Sequence, residues 1–321
     1  VEPAHLLIAG DSGSGVSELV RSVVAGQAAT NHPETLDIAL VSAGPGKPLA
    51  ACEELPHVFE YVDASAVGDE ALDRLVRRLE YELDQREWPP EEDGSGAAAG
   101  VAGADGGVGV GAGAGAGAGA AVGSAVTLVG SGAPKTPPRL LLAVDNLTAL
   151  AAERPAFVEA LAGLAERGRR FGLRMVLGAS LVETAGYGAP GNATGERAFV
   201  TALSTPVCLA ADLRVAMRTS NPEAVRLILG AGATPTAAPG GPDLPGRAQA
   251  KLPSGAVVPF QAAGIGVPMA SSATPSSRPT VRIQDWHELG EPVRLTRLRR
   301  DSESGPTDLS LLVGALRKAV D

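Results

Sequence analysis

With 321 residues the chain is long enough to bury one large α/β core plus appendages. Its formal charge of −9 weighs against non-specific nucleic-acid binding and leaves only a local basic groove as a route to it. Cys52 and Cys208 sit in apolar surroundings and read as core residues of a reduced compartment, the four histidines lack ligand spacing, and no secretory leader is visible.

In chain order, the apolar run Leu6–Ala9 reads as a buried strand. Gly10, Asp11, Ser12, Gly13, Ser14, Gly15, Val16 and Ser17 follow as Gly-x-x-x-x-Gly-Val-Ser, and Leu19, Val20, Val23 and Val24 then recur at helical spacing. Strand, glycine-rich turn and helix form the context of a phosphate-binding loop. The glycines let backbone N–H groups turn inward, and the helix start adds roughly half a positive charge. The standard pattern closes Gly-Lys-Ser/Thr. Here Val16 holds the lysine position, so the side chain that reaches the β- and γ-phosphates is missing while everything that shapes the loop is present.

Leu36–Ser42 reads as a second buried strand, Pro45 to Glu54 as a turn with a short helix, and His57–Val62 as a third strand. Asp69 can cap a helix whose Leu72, Leu75, Val76, Leu79 and Leu83 form one apolar stripe; Pro89 and Pro90 end it. Residues 94–138 are almost entirely Gly, Ala and Val. The stretch 108–129 is not read as a membrane span, because Gly and Ala contribute little transfer energy and Gly opposes helix. The segment reads instead as a disordered surface insertion.

Arg139–Asp145 is a continuous apolar strand ending in a carboxylate. Pro155 suits the first turn of a helix carrying Phe157, Leu161 and Leu164 and stopped at Gly168, and Leu173–Gly178 is another buried strand. Pro206–Ala211 and Leu213–Met217 read as two more strands, with a turn between them. Asn221-Pro222-Glu223 starts a helix that Gly230 stops, and Gly232–Pro245 is loop. Gln249–Leu252 and Val257–Gln261 form a terminal hairpin around Pro253-Ser254-Gly255. Met269–Thr280 is a Ser/Pro-rich linker, and the tail ends in a helix with Leu309, Leu312, Val313 and Leu316 on one face.

Strands alternating with helices imply a mostly parallel sheet covered on both faces, with the loop at Gly10 and the acid at Asp145 meeting at the strands' carboxyl ends, where ligands bind in open α/β sheets. Asp145 has the setting of a Walker B acid that orients the water shell of Mg²⁺, and Ser17 would place its hydroxyl on the same metal. The next residue, Asn146, can hydrogen-bond a water but cannot accept its proton.

These segments resemble the FtsK/SpoIIIE family of P-loop motors, and within it the tandem ATPase domains of EccC-type proteins of actinobacterial type VII secretion. HLLIAGDSGSGVSELVRSVV looks like the family's HLLVAG-x-x-GSGKSELLRTLV, LLLAVDNLTAL like its LLVVVDEFAEL, GLRMVLGAS like GIHLVLATQ, and LPGRAQAKLPSG like its late LPGRA-x-L segment. LPHVFEYV matches an LPHV segment, and LRVAMRTSNPEAVRLILG the family's arginine-flanked strand and helix. The likeness covers nearly the whole chain outside the Gly/Ala insertion. It implies a RecA-like P-loop fold over residues 1–268, with 269–321 as linker and lead-in helix to a following domain.

Four positions depart from the family pattern. The lysine is Val16, the water-activating glutamate is Asn146, the sensor-like glutamine falls on Ser180, and the DFKGG-type segment is Ser42-Ala43-Gly44-Pro45-Gly46-Lys47. That pattern implies a degenerate module that binds nucleotide without turnover, with ATP and Mg²⁺ as its ligands. The implied partners are other ATPase domains of the same chain, secreted proteins or their signal peptides, and a hexameric ring. The implied location is cytoplasmic, as a piece (the chain starts at Val1) of a longer, membrane-anchored protein. Two other readings stand beside it: a DNA-translocating motor, disfavoured by the acidic charge, the absent lysine and the lack of room for a DNA-orienting winged helix, and a structural domain that has lost its ligand.

Other cations carry weaker readings. Arg169 and Arg170 read as a solvated pair at a helix end rather than arginine fingers. Arg214 and Arg218 flank a strand and face either a phosphate or surface carboxylates, and Lys47 reads as solvated rather than as a substitute for the loop lysine. Trp286, with Val281 and Ile283, is expected to pack back into an apolar groove on its own domain.

Overall fold

The computed structural model describes residues 5–44, 46–87, 137–181, 192–219, 222–230, 246–266 and 306–320. The readings placed on residues 94–136, on Pro45, Pro89, Pro90 and Asn221, on 232–245 and on the linker with Val281, Ile283 and Trp286 lie outside them.

The strands are β1 (His5–Asp11), β2 (Leu36–Ser42), β3 (Val58–Asp63), β4 (Arg139–Asp145), β5 (Leu173–Leu181), β6 (Leu213–Met217), β7 (Arg247–Lys251) and β8 (Val257–Gln261). The helices are α1 (Val16–Thr30), α2 (Asp69–Glu87), α3 (Leu147–Glu153), α4 (Pro155–Gly168), α5 (Asn192–Leu203), α6 (Pro206–Leu209), α7 (Pro222–Leu229) and α8 (Asp308–Val320), with a single 3₁₀ turn at Ala50–Cys52. They build one eight-stranded sheet in the order β3-β2-β4-β5-β1-β6-β7-β8. The pairs from β3 to β6 are parallel and β6–β7–β8 are antiparallel.

Alternation along the strands assigns the two faces. Leu7, Ala9, Val41, Leu142, Val144, Met175 and Leu177 join a core with helices α2 to α7. Ile8, Ile38, Leu40, Leu141, Ala143 and Val176 join a second core with Val16, Val20 and Val24 of α1, Cys52, and Leu309 and Val313 of α8. Both cysteines are free and buried, and burial pushes their thiols up to about 12 for Cys52 and about 11 for Cys208.

One local reading changes, and two helices are added. Pro206–Ala211 begins as helix α6 rather than a strand: Thr205 precedes it in an extended conformation and Pro206 takes the first helical position. With Val207 and Cys208 both buried, so short an apolar run carries no period that separates strand from helix. Helices α3 and α5 were not anticipated. Helix α3 starts directly behind the Asp145 strand, at an Asn146 with φ 59.

The insertion is closed at its base by one side chain. Arg86, in the last turn of α2, donates to the Pro138 carbonyl at 2.6 Å and to the Phe171 carbonyl at 3.1 Å, so chain exit and chain return are pinned together. Replacing Gly96–Gly132 by a short Gly/Ser linker is therefore expected to leave the fold intact. A change in loop-closure free energy of only about 1 kcal/mol is expected. A melting temperature lower by roughly 10 °C or more would contradict this.

Candidate functional site

The loop and the acid do converge. Along β1 the register places Gly10 opposite Ser180 and Asp11 opposite Leu181 of β5, while Ser42 of β2 stands opposite Asp145 of β4. One strand, β5, separates the loop strand from the acid strand.

Gly13 (φ 73) and Gly15 (φ 103) take the left-handed backbone that lets the chain curl into α1. The Asp11 N–H donates to the Arg218 carbonyl at 2.8 Å, Ser12 to Leu181 at 2.9 Å and Ser14 to Asp11 at 3.1 Å. The Ser14 carbonyl accepts from Gly246 at 2.9 Å, so the segment leading into β7 closes the loop from the side. A Cβ on Gly10 would stand 2.6 Å from the Met217 Cβ and 2.8 Å from the Ser14 hydroxyl, so nothing larger fits there. The first N–H groups of α1 have no intrahelical acceptor and remain the natural anion donors of this loop.

Val16 is 3% exposed and lies in the α1-side core with Ile8 and Val20. Its Cγ1 is 3.4 Å from where a Cβ on Gly178 would be, and the Asp145 Oδ1 is 3.3 Å from the same point. Gly178 is the site residue that the sequence reading missed. The signal was there: one glycine inside an apolar strand marks a close approach. Here the missing side chain lets the carboxylate and the first turn of α1 meet.

Asp145 is 2% exposed, and its Oδ1 has no hydrogen-bond partner. Burial pushes its carboxyl up to about 6, against an opposing hydrogen bond from the Ser17 hydroxyl and the charge of Arg21. A buried, half-satisfied carboxylate beside a serine hydroxyl suits a hard divalent cation such as Mg²⁺. Asn146, by contrast, turns away: its Nδ2 donates to the Ala43 carbonyl at 3.0 Å, packed against Gly44.

The other candidates separate. Lys47 is ion-paired to Asp63 at 2.9 Å and holds that carboxyl below the usual range. Arg169 pairs with Asp212 at 2.8 Å and donates to the Ala210 carbonyl at 2.7 Å, in the α4–β5 connection at the strands' amino ends. It joins two loops of its own fold, while Arg170 beside it is exposed. Arg214 donates to the carbonyls of Ala211, Leu227 and Leu209, tying α6 and α7 to β6. Arg218 is exposed at the carboxyl end of β6, beside the loop.

The fold and loop define a P-loop ATPase-type domain. The model of the FtsK/SpoIIIE family matches residues 1–180, and the chain belongs to that family. It is 27% identical over 187 residues to the ESX-1 secretion system protein EccCa1 of Mycobacterium tuberculosis, and 26% identical over 180 residues to the ESX secretion system protein EccC of Thermomonospora curvata. These matches take in 57% and 56% of the chain but only 22% and 12% of those proteins. Among solved structures, the cytoplasmic domain of the T. curvata type VII secretion ATPase EccC aligns with a TM-score of 0.58 at 21% identity, over 98% of this chain and 28% of that one. EssC (ATPases 2 and 3) from Geobacillus thermodenitrificans aligns at 0.54 and 18%, over 80% and 39%. T. curvata EccC (ATPases 2 and 3) in complex with a signal sequence peptide aligns at 0.52 and 18%, over 82% and 37%.

The raised Asp145 carboxyl has a defined pH consequence. The charged form is disfavoured in the folded state, so the cost is full above pH 6 and fades as pH falls toward the ordinary carboxylate value of 3.8. At 1.36 kcal/mol per unit the cost is of order 3 kcal/mol at pH 8. Asp145→Asn should therefore stabilise the metal-free protein by about 1–3 kcal/mol at pH 8 and by almost nothing near pH 4. Urea melts at the two pH values check this, and equal effects at both would contradict it.

Proposed function

We propose that this chain is a nucleotide-binding, catalytically impaired FtsK/SpoIIIE-type ATPase module with a regulatory or scaffolding role in a type VII secretion motor. The observation that carries the reading is the fate of two side chains. Val16 is packed into the core where a phosphate-reaching lysine would stand, and Asn146 is committed to the Ala43 carbonyl where a water-activating acid would stand. Loop shape, Ser17 and Asp145 are kept.

In this reading the N–H groups of Gly13, Gly15, Val16 and Ser17 would receive the phosphates, the Ser14 N–H being held by the Asp11 carbonyl, and Ser17 and Asp145 would hold Mg²⁺. When bound, the metal neutralises polyphosphate charge and lifts the burial penalty on Asp145. Asn146 has no proton-accepting atom to offer an attacking water. Without lysine and base, turnover loses several kcal/mol of transition-state stabilisation, a few for each group.

The proposed partners are other ATPase domains of the same longer chain, arranged as a hexameric ring, and secreted proteins or their signal peptides. The multi-ATPase relatives support the first of these partners, and the related complex with a signal sequence peptide the peptides; the ring rests on the family likeness alone. We assign residues 1–268 to the P-loop unit and read α8, which buries Leu309 and Val313 in the core of that unit, as the lead-in helix to a following domain. The proposed location is the cytoplasmic part of a membrane-anchored protein. Among the described residues no helix is long and apolar enough to cross a membrane.

ATP–Mg²⁺ titration by calorimetry, alongside phosphate release, tests the reading. Binding is expected without turnover at ordinary ATPase rates. Turnover abolished by Asp145→Ala would overturn the impairment, and absence of binding heat would favour the structural-domain reading. Val16→Lys is expected to raise ATP affinity about tenfold without restoring turnover, since one added charge-assisted contact is worth roughly 1.5 kcal/mol. It should also destabilise the ligand-free protein by about 1–3 kcal/mol, because an ammonium replaces a buried branched side chain. Unchanged affinity would mean that the lysine cannot reach the phosphates.

A further inference from the structure

The described chain stops at Gly266 and resumes at Pro306. The leaving end meets the first turn of α1 at Glu18, and the returning end meets the leaving end at Ile265. Glu18, the residue after Ser17, accepts the N–H of Ile265 at 2.5 Å and of Gly266 at 2.7 Å on its Oε1. Its Oε2 pairs with Arg21 at 2.9 Å. Ser22 donates to the Ala263 carbonyl at 3.1 Å. The Ile265 carbonyl in turn accepts from the Leu309 N–H at 3.1 Å, at the start of α8. Helix α8 then buries Leu309 and Val313 against the α1 side of the sheet, and Arg317 closes on Glu54, donating to its carbonyl at 2.9 Å. A second thread runs from the loop itself: Ser14 accepts from Gly246, whose carbonyl accepts from Ala262 at 2.8 Å.

We propose that Glu18 is a pin that couples the phosphate loop to the C-terminal helix α8, so that a polyphosphate with Mg²⁺ at the loop and the docked α8 stabilise one another. The coupling rests on the nucleotide-binding reading above; the pin itself does not. A ligand held by the loop and by Ser17 fixes the first turn of α1 from one side. The Glu18 carboxylate, with two backbone N–H groups and Arg21, fixes the same turn from the other. Whichever arrives first lowers the ordering cost of the second, and by linkage the effect is reciprocal. Charge-assisted bonds in a half-buried setting are strong enough to carry such a link. Gly266 belongs to the clasp, because a Cβ there would run into the Arg21 guanidinium and stand 3.0 Å from the Glu18 Oε2.

Hydrogen exchange of the α8 amides, read by mass spectrometry on the 321-residue chain, tests this with ATP–Mg²⁺ as the probe and Mg²⁺ alone as the control. ATP–Mg²⁺ should slow α8 exchange about threefold or more. Glu18→Ala should speed it roughly tenfold without ligand, abolish the ligand effect, and weaken ATP–Mg²⁺ binding several-fold in calorimetry. Glu18→Gln keeps an acceptor oxygen for both N–H groups but loses the charge, so its α8 exchange should fall between those of the unmodified chain and Glu18→Ala. If Glu18→Ala exchanges faster in β4 and β5 as well, Ile265→Pro, which removes one of the two N–H donors without touching α1, takes its place with the same expectations. Unchanged α8 exchange in these variants overturns the pin. ATP–Mg²⁺ binding that leaves α8 exchange unaltered overturns the coupling while the nucleotide reading stands. Absence of binding heat overturns the nucleotide reading and the coupling together, with the pin still decided by the ligand-free comparison.

Discussion

The Asp145 carboxylate must be met by something, and much of the site follows from that. It stands at the end of an apolar strand with one oxygen lacking a hydrogen bond. Water cannot solvate it, so its neighbours decide its charge: a hydroxyl from Ser17, the field of Arg21, and a gap in β5 at Gly178. A Cβ at Gly178 would stand 3.0 Å from Val20 and 3.3 Å from the Asp145 Oδ1, so α1 or the acid would have to give. Retaining such a costly group without a ligand would be a standing loss of stability, and a divalent cation between Ser17 and Asp145 would remove it.

The same geometry explains how the loop keeps its shape without its lysine. The curl is set by backbone: two glycines in left-handed conformation and N–H bonds to Arg218, Leu181 and Asp11. None of these needs the side chain at position 16. Val16 instead fills the space beside Gly178 and joins the core. Loop architecture and the lysine contact are thus separable in this fold: the backbone curl stands with a valine at position 16.

The parallel strands were legible because a strand buried on both faces reads as a continuous apolar run, as in Leu36–Ser42 and Arg139–Asp145, whose observed bounds coincide with those expected. Helices α2 and α7 were legible from a stripe and from their start and stop residues. Helix α6 was not, since four residues show no period, and α3 was hidden because its apolar residues run straight on from the acid strand's loop. Within the site, the loop and Asp145 were visible as local patterns. Gly178 showed only as a glycine inside an apolar strand; what it makes room for, like the Asn146–Ala43 bond, depends on strand order, and the Lys47–Asp63 pair depends on how the loop after β2 meets the end of β3. A sheet that runs β2-β4-β5-β1 brings together residues more than a hundred positions apart, and no local period encodes that.

Strand order also accounts for how the fold tolerates two long excursions. Each is anchored by a charged side chain acting on backbone groups: Arg86 joins exit and return through two carbonyls at the base of the insertion, and Glu18 holds the exit after β8 through two N–H groups while the Ile265 carbonyl takes the returning Leu309 N–H. Closing a loop at its base confines the entropy of what lies beyond to a term that grows only logarithmically with length. The two bases differ in what lies beneath them. Arg86 gathers α2, the start of β4 and the α4–β5 connection, all at the amino ends of the strands and remote from the loop. Glu18 stands one residue from Ser17. An excursion anchored at the first position can vary with little effect on the site, whereas one anchored at the second shares a helical turn with it. That shared turn is why the proposed coupling is placed at the second anchor and not at the first.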